Sequence, residues 1–420
     1  MDLELVTIGT ELLLGFTIDT NAAEIARALA PAGARVVRRT TVGDDGPAIA
    51  AAVRDALGRT GLVIVTGGLG PTRDDVTKRA VAELFGAPLE LDQAYLERLR
   101  ERFARMGRAM PAINRTQAEV PRGAVVLSNR WGTAPGLWLE GGPGTVVMLP
   151  GVPKEMRGLL AAEVLPRLAA RMTAGSGTPW VIASRTLRTT GIAESALAER
   201  IGALEDQLAP ATLAYLPGVD GVDLRLTVWD LPQDRAAQTL AGRAELLRPA
   251  LGSHFYGEES TDLAAVVLDL LRQRGFTLAL AESCTGGLLG ARLTAVPGSS
   301  DVFVGAVIAY ADGVKTAQLE VPADVLEAQG AVSQPAVEAM ARGAQRTFHS
   351  GAVIAVTGIA GPGGGTAEKP VGTVWIAAAL NDRLASVQRR FPGDRDDVRR
   401  RSAQAGLDLL RMLLTASDEK

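Results

Sequence analysis

A serine and a lysine in the last third of the sequence could together perform nucleophilic catalysis. Ser283 follows an apolar, strand-like segment directly, and Lys315 ends the segment that begins with Tyr310. A lysine kept neutral by burial or by a neighbouring charge can deprotonate a serine hydroxyl, and adjacent backbone N–H groups can form an oxyanion hole. The pattern indicates acyl transfer. The alternative interpretation is that Ser283 is a helix N-cap.

The composition narrows the choice of base and nucleophile. Only five of the 44 basic residues are lysines, and arginine cannot act as a base at neutral pH. The chain has two histidines, of which His349 lies in no motif and reads as a surface residue. Cys284 is a rival nucleophile, but an isolated thiol is more often a small buried side chain. A single cysteine also excludes an intrachain disulfide and a clustered Cys/His zinc site, and it fits a reducing cytoplasm.

Glycine-rich loops that suit an anionic ligand follow several strand-like segments. One runs from Thr357 to Gly365 and another from Thr66 to Asp75. Glycines allow backbone N–H groups to approach a phosphate closely, although such composition can also be a plain surface loop. The guanidinium groups of Arg395 and Arg399 could clamp a phosphate. Neither a Walker A motif nor GxGxxG is present, so no standard nucleotide fingerprint is read.

Acidic side chains follow the first strands of the chain. Asp74 and Asp75 could cap a helix predicted over Asp74–Phe85, or they could hold a divalent cation that bridges a diphosphate. Thr10, Glu11 and Asn21 follow the first strand, and Asp44 follows the second. Because parallel strands deliver their carboxyl ends to one sheet edge, we expect these residues to converge there.

The elements that must position these residues alternate between strand and helix. This rhythm predicts an α/β fold, with two α/β domains whose sheets are mainly parallel. A Gly/Ser/Thr-rich linker is predicted at Thr173–Pro179, followed by a small α+β module. The predicted domains are residues 1–172, 173–254 and 255–420.

In their order and spacing these motifs resemble those of the full-length CinA (competence/damage-inducible protein A) family. The first third resembles a molybdopterin-binding domain of the MoaB/MogA type through GTELLLG, TGGLGPTRDD and LPGVPKE. The middle piece resembles the KH-like linker domain of such proteins. The last third resembles a nicotinamide-nucleotide amidase through AESCTGG, YADGVK, TGIAGPGGG and FPGDRDDVR.

The resemblance implies that the last domain hydrolyses the carboxamide of nicotinamide mononucleotide to nicotinate mononucleotide and ammonia, without a cofactor. Ser283 would be the nucleophile and Lys315 the base, with Tyr310 assisting. Either Arg395 or Arg399 would hold the substrate phosphate. The other expected substrate contacts are Thr285, Gly286, Gly287, Thr357, Gly358 and Gly361. Where relatives usually read YSNExK, this chain reads YADGVK, which keeps the tyrosine and the lysine but can alter loop stiffness.

For the first domain the resemblance implies an ADP-ribose pyrophosphatase that requires a divalent metal ion of unknown identity. The functional acidic positions of the molybdopterin relatives match Asp44 and Asp75, and the expected metal ligands are Asp74 and Asp75. The expected substrate-binding residues are Thr10, Glu11, Asn21, Gly67, Gly68, Gly70 and Thr72.

Both substrates are products of NAD breakdown, which points to pyridine nucleotide salvage. The family resemblance also implies a homodimer. In an alternative, the amidase is active while the first domain only binds a ligand or partner and is linked to competence or DNA damage. A further alternative is a non-enzymatic partner-binding protein. The net charge of −3 argues against nucleic-acid binding. We expect no signal peptide, no membrane span and a cytoplasmic location.

Overall fold

The computed structural model describes residues 1–173 and 180–416. The chain divides into two compact units, Met1–Ala183 with Val228–Gln238, and Ser184–Thr227 with Thr239–Lys420. The predicted linker lies outside the described residues from position 174 onward, and the predicted three domains stay a prediction. Within the described residues no helix combines the length and apolarity needed to cross a bilayer.

The first unit is built on a six-stranded mixed sheet in the order β2-β1-β3-β8-β7-β6. Its strands are β1 Asp2–Ile8, β2 Arg35–Val42, β3 Leu62–Thr66, β4 Leu89–Leu91, β5 Glu119–Pro121, β6 Val125–Leu127, β7 Gly136–Gly141 and β8 Gly144–Leu149. Its helices are α1 Thr10–Leu13, α2 Thr20–Leu29, α3 Gly46–Thr60, α4 Thr77–Leu84, α5 Gln93–Arg105, α6 Pro153–Leu159 and α7 Leu165–Thr173.

Strand β3 shows why this sheet is covered on both faces. Leu62 and Ile64 pack into the core beside α2, whereas Val63 and Val65 pack into the core beside α3. Every residue of the strand is buried, which matches the continuous apolar run expected of a central parallel strand. Strands β2, β1, β3 and β8 are parallel, so their carboxyl ends lie at one edge.

A small α+β module lies mostly in the second unit, with its residues 180–183 and 228–238 assigned to the first unit. It contains a four-stranded sheet in the order β10-β11-β9-β12. Its elements are β9 Trp180–Thr189, α8 Glu194–Glu205, β10 Thr212–Pro217, β11 Val222–Pro232, α9 Gln233–Leu251 and β12 Phe255–Glu258. The pairs β10–β11 and β9–β12 are antiparallel.

The rest of the second unit is an α/β domain on a five-stranded sheet in the order β14-β13-β15-β16-β17. Its strands are β13 Leu278–Glu282, β14 Phe303–Ile308, β15 Ala352–Gly358, β16 Thr373–Leu380 and β17 Arg383–Arg390. Its helices are α10 Leu263–Arg274, α11 Leu288–Thr294, α12 Asp312–Leu319, α13 Ala323–Gln329, α14 Gln334–Phe348 and α15 Arg395–Thr415.

The alternating sequence of β13 explains how this sheet is packed. Leu278 and Leu280 face the core that includes α10 and α15, whereas Ala279 and Ala281 face α14. The small alanines permit a close approach of α14. Gly343 of the same helix lies against α12, where a Cβ would come within 1.9 Å of the Leu319 carbonyl oxygen. The predicted α/β fold is confirmed. At one edge of each large sheet, the last two strands are joined to the sheet and to each other by antiparallel pairing.

Candidate active site

The turn that carries Ser283 lies between the ends of three neighbouring strands. The Ser283 N–H donates to the Val356 carbonyl at 2.9 Å, and the Ala309 N–H donates to the Glu282 carbonyl at 2.7 Å. The serine is 8% exposed. Helix α11 begins only at Leu288 with Gly287 as its N-cap, so the interpretation of Ser283 as an N-cap is wrong.

A buried carboxylate that the sequence analysis missed holds this turn. Glu282 is 0% exposed, and its side chain accepts hydrogen bonds from the N–H groups of Gly287 (2.9 Å), Leu289 (3.2 Å) and Gly290 (2.8 Å). These bonds satisfy N–H groups at the start of α11, whose helix dipole also favours the negative charge. The available signal was a glutamate at the end of an apolar strand, four residues before a pair of glycines.

Lys315 is the largest fully buried side chain of the described residues and is 1% exposed. Its Nζ donates to the Tyr310 carbonyl at 3.2 Å and to Asp312 Oδ1 at 3.0 Å. Strand β14 pairs with β13 so that Ile308 lies opposite Glu282. The segment that leads to the lysine therefore starts beside the serine turn.

Two arginines at the start of α15 donate hydrogen bonds to the serine turn and to the segments next to it. Arg399 donates from Nε (3.3 Å) and Nη2 (2.9 Å) to the Thr285 carbonyl. Arg395 donates to the Gly361 carbonyl at 2.6 Å and to Tyr310 Oη at 2.8 Å. Hydrogen bonds thus join the segments that follow β13, β14 and β15 to the start of α15.

Other predicted positions have different roles. Thr357 donates its hydroxyl to the Ala331 carbonyl at 2.9 Å, so its side chain serves the loop between α13 and α14. Gly358 ends β15 opposite Val374. The Oγ1 of Thr285 is buried and has no hydrogen-bond partner in the described part of the chain.

Cys284 is unsuited to be the nucleophile. Its side chain lies in the apolar core and is 5% exposed. Burial raises the pKa of the thiol to about 12, which keeps it protonated near neutral pH, and only the thiolate is strongly nucleophilic. The interpretation of Cys284 as a small buried side chain is confirmed.

The loops of the first unit converge at the carboxyl edge of its sheet. The Thr10 N–H donates to Asp44 Oδ2 at 2.8 Å, and the Asp44 N–H donates to the Thr10 hydroxyl oxygen at 3.2 Å. Asn21 donates to Thr66 Oγ1 (3.2 Å) and to the Gly151 carbonyl (2.8 Å). These contacts join the loops after β1, β2, β3 and β8.

The acidic pair after β3 does not cap a helix. Helix α4 begins at Thr77, not at Asp74, and has no side-chain cap, so the capping interpretation is wrong. Asp75 instead accepts hydrogen bonds from the N–H groups of Gly70 (2.6 Å) and Thr72 (2.8 Å) and from the Thr72 hydroxyl (2.5 Å). A Cβ on Gly70 would lie 2.4 Å from Asp75 Oδ2, so this loop needs glycine there.

The fit of a divalent cation to this edge depends on the substrate. Within residues 1–173 and 180–416, no group of three or more His, Cys, Asp or Glu residues could hold a metal ion alone. Magnesium is commonly bound by one or two carboxylates together with substrate phosphates. Asp74 is exposed, and Asp75 Oδ1 accepts one hydrogen bond and keeps a second lone pair. The pair therefore fits a cation that a diphosphate helps to coordinate.

A lysine beside this loop is buried. Lys78 is 5% exposed and donates to the Thr116 carbonyl at 2.5 Å. Burial lowers its pKa to about 8, against the attraction of Glu119 and Asp75. The side chain thus supports the loop from inside the fold.

Comparison with known proteins covers nearly the whole chain. A family described as "Probable molybdopterin binding domain" matches residues 4–170, "Damage-inducible protein CinA KH domain" matches 184–257, and "CinA C-terminal domain" matches 260–414. A CinA-like protein of Gemmatimonas aurantiaca is 55% identical over 413 residues, which cover 98% of this chain and 96% of that protein. The chain belongs to the CinA family.

Two further proteins are similar to the chain. A CinA-like protein of a Synechococcus species is 46% identical over 416 residues, which cover 98% of each chain. The crystal structure of CinA from Thermoplasma acidophilum, described as of unknown function, is 36% identical and covers 40% of this chain and 99% of that one, with a TM-score of 0.37. The resemblance predicted from the motifs is confirmed for all three parts of the CinA chain.

Proposed function

We propose that the C-terminal domain hydrolyses the carboxamide of nicotinamide mononucleotide by a Ser–Lys mechanism. The observation that carries the proposal is the burial of Lys315 in a segment that begins beside the Ser283 turn. A buried lysine does not serve as a solvated surface charge. An amine removed from water is, in contrast, a usual activator of a serine nucleophile. The motif resemblance supplies the identity of the substrate.

In this mechanism Ser283 Oγ attacks the carboxamide carbon while the Lys315 amine takes the hydroxyl proton. The N–H groups of Cys284 and Thr285, which follow Ser283 in the turn, would stabilise the resulting oxyanion. The ammonium form of Lys315 then protonates the leaving nitrogen, so that ammonia departs and a Ser283 ester remains. Water, deprotonated by the same amine, hydrolyses that ester to the carboxylic acid and restores the serine.

We propose Arg395 as the main contact to the substrate phosphate. The residue is exposed, and its guanidinium is already held between Tyr310 and Gly361. Arg399 is half-buried and turns two of its nitrogens toward the Thr285 carbonyl. The first arginine can therefore meet a phosphate at the surface, whereas the second supports the serine turn.

The test is ammonia release from nicotinamide mononucleotide. Lys315→Ala and Ser283→Ala should each lower kcat by at least about 100-fold, because each removes an essential step of proton transfer or attack. Cys284→Ala should stay within about threefold of the wild type, and Lys154→Ala, an exposed lysine of the other unit, serves as the control. Absence of ammonia release by the wild type would refute the proposal, and loss of activity in Cys284→Ala alone would reassign the nucleophile.

We further propose that the first domain cleaves the diphosphate of ADP-ribose with a divalent cation. The supporting observation is the convergence of the Asp44 and Asp75 loops at one sheet edge. When bound, the cation would neutralise charge on the diphosphate, and Asp74 and Asp75 are the residues that would hold it. The protein itself would position the substrate through the N–H groups of the loop around Gly68.

ADP-ribose cleavage should depend on added Mg²⁺ or Mn²⁺ and should fall at least tenfold in Asp75→Asn. Asp55→Asn, on the outer face of α3, is the matched control. An unchanged rate in Asp75→Asn would show that the site is misassigned. Complete absence of cleavage with an active amidase would favour the alternative, in which this domain binds a ligand or partner without catalysis.

A further inference from the structure

A second cavity in the C-terminal half lies apart from the serine site. It encloses ≈ 660 Å³, which is within the usual range for small-molecule sites. The α+β module lines one side with residues around Thr190, Asp220 and His254, and strand β17 and helix α15 line the other. None of its lining residues belongs to the candidate active site described above.

The charges that line this cavity favour an anion. Arg389, Arg390 and Arg401 contribute three guanidinium groups. The two lining carboxylates are already paired with arginines outside the lining, Asp220 with Arg292 at 3.4 Å and Asp408 with Arg411 at 2.6 Å.

The three lining arginines have no such partners. In the part of the chain that the structure describes, Arg389, Arg390 and Arg401 form no ion pair with a carboxylate. Their charge is therefore available to a phosphate, to which arginine binds in a bidentate geometry.

Two polar atoms in the cavity wall need partners that the described residues do not supply. Gln404 is 3% exposed; its Nε2 donates to Thr190 Oγ1 at 3.1 Å, while its Oε1 is buried and accepts no hydrogen bond from a described residue. Nearby on α15, the Nε of Arg401 is likewise buried and unpartnered among these residues. A buried polar atom without a partner is costly, so a ligand that offers an N–H group and an anionic oxygen would satisfy both.

We propose that this cavity binds a nucleoside phosphate. The phosphate would lie on the guanidinium groups of Arg390 and Arg401. The base would place an N–H donor on Gln404 Oε1 and its ring among the apolar lining that includes Phe391 and Leu409. Helix α15 carries both this lining and Arg395 and Arg399 of the serine site, so the bound nucleotide contacts the same helix as the catalytic centre.

The test is isothermal titration calorimetry of the full-length protein with adenosine 5′-monophosphate, whose exocyclic amine can donate to Gln404. Arg401→Gln and Arg390→Gln should each weaken the affinity about tenfold, the usual effect of losing one charge-assisted hydrogen bond. Gln404→Met should weaken the affinity for the nucleotide by a similar factor but leave the affinity for inorganic phosphate unchanged, since only the base contacts the amide oxygen.

A matched control locates the binding. Arg274→Gln removes an exposed arginine outside the cavity and should bind the nucleotide as the wild type does. Absence of binding, or equal affinity in Arg401→Gln and the wild type, would each overturn the proposal. Because the readout is binding, these outcomes do not depend on whether the amidase proposal holds.

Discussion

Replacing Glu282 by glutamine tests whether the buried carboxylate organises the serine turn. The amide has almost the same shape as the carboxylate but carries one acceptor oxygen instead of two. Its oxygen can keep the bonds from Gly287 and Leu289 that now go to Oε2, whereas its NH₂ group would face the Gly290 N–H. Glu282→Gln therefore places two donors against each other in a site from which water is excluded.

The expected magnitude follows from that one lost bond. A hydrogen bond to a charged acceptor contributes about 2 kcal/mol, and the Gly290 N–H would be left without a partner. We expect the free energy of local opening of residues 284–292 to fall by about 2 kcal/mol, which corresponds to about 30-fold faster amide exchange. In the proposed reaction, the turnover of nicotinamide mononucleotide should fall by tenfold or more through kcat, with a smaller change in KM, because the turn carries the proposed nucleophile.

The assay is amide hydrogen exchange measured by mass spectrometry on the peptide that covers these residues. Glu327→Gln on α13 makes the same chemical change at an exposed position and should leave exchange in this peptide unaltered. If exchange in Glu282→Gln stays within threefold of the wild type, the carboxylate does not hold the turn and the reasoning is wrong. The exchange result stands independently of the substrate.

Three further predictions concern buried titratable groups. The native Cys284 thiol should react with iodoacetamide at least 100-fold more slowly than a free thiol, because burial raises its pKa to about 12; rapid alkylation would contradict its burial. The pKa of Lys78 is lowered from 10.5 to about 8, so its charged form destabilises the fold at neutral pH. The free energy of unfolding should therefore rise by up to about 3 kcal/mol as the pH rises from about 8 to 10.5. Chemical denaturation should show no such rise in Lys78→Met. A hydrogen bond from Arg59 lowers the pKa of the buried Glu4, so the stability that this pair contributes is present above pH about 4.5 and is lost as the pH falls below it. On acid titration, Arg59→Gln should therefore lose less stability than the wild type.

The order of elements around the serine site was predictable because each signal is local. An apolar strand that leads into a glycine-containing turn places Ser283 at a strand end, and the same argument places Gly67 after β3. Gly67 has a φ of 113°, and a Cβ there would lie 2.2 Å from the Ile8 carbonyl, so the glycine is required by the fold. Parallel pairing then makes these loops meet at one edge, which follows from topology alone.

The helix start after β3 was not predictable in the same way. Two adjacent aspartates before an apolar helical pattern look like caps, since the cap and the loop contact use the same acceptor oxygens. The structure bends the chain so that Asp75 binds backward to Gly70 and Thr72, and α4 starts at Thr77. Whether the aspartates cap the helix or accept hydrogen bonds from the loop depends on the conformation of the whole loop.

By itself, the sequence determined the alternation of strands and helices, the three family motifs and the residue types at each strand end, because these depend on neighbours along the chain. Only the tertiary structure decided that Lys78 and Lys315 are buried, that Arg399 braces the serine turn while Arg395 reaches Tyr310, and that arginines from β17 and α15 line one cavity. Burial and long-range pairing depend on which segments pack together, and nothing in the local pattern of a lysine or an arginine records that.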